Sequence, residues 1–114
     1  MLRFAVIPIL GIAIVFQSVS APAQPKQPAQ INFNKQILPF LKKYCVSCHS
    51  GPNAKYGVDF GKFKTQADAA TGGRIWKRAN REVSGNKMPP AVAKAQPTEA
   101  ERKMFSTWCA AQLK

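Results

Sequence analysis

Cys45-Val46-Ser47-Cys48-His49 sets two thiols three residues apart and an imidazole directly after the second. On a helical turn, positions i and i+3 lie on one side of the chain. Two thiols so placed can add across the two vinyl groups of a single porphyrin. The histidine is then carried beneath the ring, where a nitrogen can ligate the iron. The pattern C-x-x-C-H therefore predicts one covalently attached haem c, with Cys45 and Cys48 as attachment points and His49 as proximal iron ligand. Two other chemistries use a cysteine pair at this spacing. A closed zinc site needs four ligands, and beyond this pair the chain offers Cys109 and His49, the latter adjacent to Cys48. A thioredoxin-like dithiol goes with a βαβ pattern, and none is visible here.

The amino terminus predicts the compartment. Arg3 supplies a positive charge, Phe4 to Phe16 (FAVIPILGIAIVF) is apolar, and Ala21-Pro22-Ala23 offers a small-residue cleavage site. Residues 1–23 are expected to be a signal peptide, with Gln24 as the first mature residue. The run is short for a bilayer span, and Pro8 and Gly11 interrupt it. The expected location is periplasmic, or membrane-anchored if the segment is retained. Residues 24–30 (QPKQPAQ) have no apolar face and are expected to form a disordered linker. Residues 31–114 then form one small domain. That length is short for a free-standing apolar core. A bound porphyrin would supply additional apolar surface for the chain to wrap.

Seventeen Lys and Arg stand against five acidic residues, a net charge of +12. Lys42 and Lys43 precede the first thiol, and Lys55, Lys62 and Lys64 follow the histidine. A basic face at this place would steer the protein toward a redox partner with an acidic docking surface, or toward an anionic membrane surface. Nucleic acid is excluded as a partner, because no groove-reading motif or aromatic interleaving accompanies the charge.

Hydrophobic periodicity predicts an all-α domain. A first helix starts near Asn34 and runs into Cys45 and Cys48, with Ile37, Leu38, Leu41 and Tyr44 on its buried face; Pro39 kinks it or delays its start. Ser50 to Asn53 ends it. Lys55 to Gly73 reads as a glycine-punctuated loop over the propionate side of the haem, with a short helix over Gln66 to Ala70. Arg74 to Val83 forms a helix with Ile75, Trp76, Ala79 and Val83 on one stripe, closed by Ser84-Gly85-Asn86. Thr98 and Glu101 form a capping box for a last helix. Its stripe is Met104, Phe105, Trp108 and Leu113. Cys109 reads as a small buried residue, with an intermolecular disulfide as the alternative. A monomer is expected.

Lys87-Met88-Pro89-Pro90 carries the second chemical feature. His49 is the one histidine in the chain, so no second imidazole can reach the iron. A thioether is a soft, weak ligand that needs a stiff support, and two successive prolines fix φ directly after Met88. Met88 is therefore expected to be the distal haem iron ligand, raising the reduction potential. Met1 leaves with the signal peptide, and Met104 sits among helix aromatics.

The order C-x-x-C-H, a glycine-punctuated loop, Trp76, Gly85-Asn86-Lys87-Met88-Pro89-Pro90, Pro97-Thr98-Glu99-Ala100-Glu101 and a C-terminal tryptophan helix resembles a class I monohaem cytochrome c. It is most similar to the planctomycete-type cytochrome c domain, whose first helix often carries a proline such as that in Ile37-Leu38-Pro39. The likeness runs from about Ile31 to Leu113, while Cys109 has no counterpart in it. It implies three to four helices around the haem and periplasmic transfer of single electrons between redox partners. No general acid, base or nucleophile constellation is present, so an enzyme is not expected. The competing readings are a haem protein that binds nitric oxide, carbon monoxide or peroxide, and the haem subunit of a larger exported oxidoreductase.

Overall fold

The computed structural model describes residues 2–23 and 30–114. The linker expected at residues 24–30 lies outside the described residues apart from Gln30, and so does Gln24. The described residues form helices and no strands, so the domain is all-α. Residues Phe4 to Phe16 have no regular secondary structure and are exposed, and no helix among the described residues is long and apolar enough to cross a membrane.

The first helical segment starts two residues earlier than expected and in another form. Asn32 is its cap, with Oδ1 accepting from the Lys35 amide at 2.9 Å. Residues Phe33–Ile37 make a π-helical turn that passes into α1 (Leu38–Tyr44). The Leu38 amide donates to Phe33 O, five residues back, and Pro39, which has no amide to give, follows at once in the first turn of α1. The proline thus marks the change of pitch at which α1 proper begins, later than Asn34. Helix α1 also stops at Tyr44, so Cys45 caps it and Cys48 lies in the turn beyond. Ile37, Leu41 and Tyr44 are buried as expected, whereas Leu38 is half-exposed. Phe33 and Phe40 join them in the core.

The glycine-punctuated loop contributes core residues of its own. Two 3₁₀ turns, Lys55–Gly57 and Phe60–Lys62, bury Val58, Phe60 and Phe63. Helix α2 (Gln66–Ala69) follows, with a capping box between Thr65 and Asp68. These amide hydrogen bonds, foremost that from Lys64, hold the Asp68 carboxyl below its ordinary value. Helix α3 (Gly73–Ser84) buries Trp76, Ala79 and Val83 and packs against α4 (Glu99–Ala111). The expected capping box at Thr98 and Glu101 is present. Phe105, Trp108 and Cys109 of α4 are buried, Met104 is half-buried, and Leu113 is 44% exposed because the helix ends before it.

The core is a chain of aromatic contacts. Trp76 is fully buried, and its ring lies 4.6 Å from Phe63, 5.7 Å from Phe60 and 4.8 Å from Trp108. Its indole N–H donates to Ala69 O at 2.7 Å, which satisfies the one polar atom that burial would strand. Phe40 stacks on Phe105 at 4.5 Å and joins α1 to α4.

Gly72, between α2 and α3, is the tightest point. A Cβ there would sit 2.5 Å from Phe63 Cζ and 2.9 Å from Trp76 Nε1, whereas one at Gly73 would meet nothing within 4 Å. Gly72→Ala is expected to destabilise the domain by about 1–3 kcal/mol, as overpacking does. Gly73→Ala should leave stability nearly unchanged. Thermal denaturation of the two variants checks this, and equal melting temperatures would contradict the packing described.

Candidate haem attachment site

The thiols and the imidazole sit on one tight turn that continues the end of α1. The amides of Cys48 and His49 both donate to Cys45 O, at 3.3 and 3.0 Å. Cys45 is half-buried against the core, while Cys48 is exposed. Burial pushes the Cys45 thiol from its ordinary 9.0 up to about 12. Among the described residues no group of three or more His, Cys, Asp or Glu side chains is placed to hold a metal ion. A four-ligand zinc site therefore has no support in the geometry.

The loop that follows ties this turn down at three points. The Lys55 amide donates to Cys48 O at 3.1 Å, and the Phe60 amide donates to His49 O at 2.8 Å. The third tie is His49 Nδ1 to Lys55 O, at 3.1 Å. A carbonyl oxygen only accepts, so Nδ1 carries a proton, and in the neutral imidazole the lone pair then lies on Nε2. This is the arrangement that orients an imidazole for a metal, with the second nitrogen anchored to a backbone carbonyl. The ring also stands edge-on to Phe60, at 5.9 Å and 80°. Holding Lys55 O in position requires a cramped turn. Tyr56 has φ 56° although it bears a side chain, and it is 78% exposed. Asp59 braces the same loop, with Oδ1 accepting from the amides of Gly51 and Gly61 at 3.0 and 2.8 Å.

Met88 lies in the loop after α3, half-buried at the edge of the same core that Cys45 touches. Its amide donates to Glu82 O at 3.1 Å, and Pro89 behind it is buried. Met104 is differently engaged, its sulfur accepting from the Gln36 side-chain amide at 3.8 Å. Cys45 and Met88 thus border one core, and His49 reaches it through Phe60. The larger described cavity, about 780 Å³, lies between Gln30–Lys35 and the end of α4 and includes none of these residues.

These residues fit a c-type haem by the chemistry of the donor set. Two thiols on one turn are followed by an imidazole with its outer nitrogen free, and a thioether is held by backbone hydrogen bonds. All four side chains are those the sequence motifs single out. They miss Lys55, whose carbonyl orients the imidazole and carries no signature in a side-chain pattern.

Charge around the site is one-sided. Lys42, Lys43, Lys55, Lys62 and Lys64 are all exposed. The nearby carboxylates Asp59 and Asp68 accept from backbone amides instead of pairing with lysines. The single ion pair among the described residues is Arg81–Glu82. Comparison with protein-family models, curated proteins and solved structures finds no match to the chain.

Cys109 is fully buried, and burial, followed by the neighbouring Cys45 thiol, pushes its own thiol upward. It is expected to resist alkylation by iodoacetamide at pH 8 in the folded protein and to react once denaturant is added. Labelling at native conditions, or a disulfide-linked dimer lost on Cys109→Ser, would contradict this placement.

Proposed function

We propose that the chain is an exported single-haem c-type cytochrome of class I type that passes single electrons between redox partners. The observation that carries the reading is the His49 Nδ1 to Lys55 O hydrogen bond, directly after the Cys45–Cys48 turn. It leaves a correctly protonated, oriented imidazole with one free nitrogen beside two thiols. Cys45 and Cys48 would hold the group covalently, and His49 and Met88 would ligate its iron. Bound there, a haem supplies a one-electron couple.

The protein's own part is positioning and steering. Lys55 O keeps the imidazole from rotating and raises its basicity as a ligand. The backbone ties at residues 48, 49, 55 and 60 resist movement of that ligand, so a change of charge at the iron demands little rearrangement of the chain. The unpaired lysines give a positive field near the exposed Cys48, and this field orients an acidic partner before contact. Such encounters weaken as salt screens them. The signal-like amino terminus agrees with the compartment in which a covalent haem of this type would be attached.

The reading is tested by the absorption spectrum of the oxidised protein. Methionine ligation gives a charge-transfer band, which Met88→Ala should abolish while Met104→Leu leaves it intact. The reduced Met88→Ala protein should also bind carbon monoxide, and the unmodified protein should not. A native protein that carries haem but lacks the band and binds carbon monoxide freely would instead favour small-ligand binding.

A further inference from the structure

The loop from Gly85 to Thr98 contains three prolines, at positions 89, 90 and 97. Each lacks an amide hydrogen, so the loop has few donors with which to stiffen itself. Within it the Ala93 amide donates to Pro90 O at 2.9 Å, and Met88 O is satisfied from outside, by Arg102 in the second turn of α4. One arm of the guanidinium, Nη1, donates to Val83 O at 3.1 Å and to Met88 O at 2.9 Å. The other, Nη2, donates to Gln96 Oε1 at 3.1 Å. Gln96 passes the support on, its Nε2 donating to Pro90 O at 2.9 Å and to Ala93 O at 3.3 Å. On the other side the amides of Lys87 and Met88 both donate to Glu82 O, at 2.9 and 3.1 Å. Both peptide groups of Met88 are therefore fixed, the amide to the end of α3 and the carbonyl to α4.

Arg102 is half-buried, and its described partners are three neutral oxygens rather than a carboxylate. A planar fork of five donors can serve three acceptors in different directions at once, whereas a lysine ammonium on a flexible stem cannot hold the same geometry. A half-buried cation that bonds Val83 O at the end of α3, Met88 O near the start of the loop and the Gln96 side chain near its end fixes that loop's conformation.

We propose that Arg102 is the positioning residue that keeps the Met88 thioether seated as an axial ligand, with Gln96 as its relay. This rests on the haem reading above. The clamp sets whether the second face of the iron is closed, and so whether the protein carries electrons only or also admits a small ligand. Arg102 touches neither the iron nor the porphyrin in this account, since it acts through the backbone of the methionine loop.

The test uses the haem-loaded protein with Arg102→Leu, Arg102→Lys and, as a milder variant at an exposed position, Gln96→Ala. Thr65→Ala, which removes the cap of α2 outside this loop, is the control for general loss of stability. Both Arg102 variants should weaken the methionine charge-transfer band and let the reduced protein bind carbon monoxide. They should also lose about tenfold or more of the hydrogen-exchange protection of the Lys87 and Met88 amides. Gln96→Ala should move the same readouts by less. Thr65→Ala should lower the melting temperature and leave the band and both amides unchanged. Arg102 variants that keep the band and exclude carbon monoxide overturn the proposal. So does a band loss that Thr65→Ala reproduces at equal melting temperature. If the unmodified protein carries no haem, it is the functional reading that fails. Exchange at Lys87 and Met88 still tests the clamp in that case, and unchanged protection in Arg102→Leu overturns it.

Discussion

The burial of Trp76 is the contact on which the domain depends. Its indole fills the space between the loop aromatics Phe60 and Phe63 and Trp108 of α4, and its N–H is satisfied by Ala69 O. A single side chain thus joins the end of α2, the loop and two helices. The functional geometry hangs from the same side chain. Phe60 stacks on Trp76, its amide holds His49 O, and its ring faces the imidazole. Packing that secures the fold therefore also sets the position of the proposed iron ligand.

How much of this was legible in the sequence depends on how local the cause is. The α4 capping box was readable because Thr98 and Glu101 act on each other across three residues. The α3 stripe was readable because Trp76, Ala79 and Val83 repeat with the helical period. The π-helical turn at Phe33–Ile37 was not, since it rests on a bond from the Leu38 amide to Phe33 O that leaves no mark on residue spacing. Phe33 lay outside the expected stripe because the helix was expected to start near Asn34, while Phe40, four residues before Tyr44, has the stripe's own helical spacing. Phe60 and Phe63 looked like loop residues because 3₁₀ turns carry no long period. Leu113 continued the α4 pattern in sequence, but the helix ends at Ala111 and leaves it exposed.

The candidate site divides the same way. Its four side chains were visible as chemistry at fixed spacing, in Cys45, Cys48, His49 and Met88. Their supports were not, because those supports are backbone groups and distant donors. Lys55 contributes a carbonyl, and Arg102 reaches Met88 from another helix. In the proposed account the iron is held between two loops of opposite construction. One is tied by its own short-range backbone bonds and a strained turn at Tyr56, while the other is proline-rich and braced from outside.

The most direct measurement is the intact mass of the denatured protein, purified from a host able to attach haem to exported chains. The account predicts a polypeptide beginning at Gln24 and carrying the mass of one haem that survives denaturation and solvent extraction, with Cys109 as the one free thiol. A colourless polypeptide of unmodified mass with three titratable thiols would contradict it.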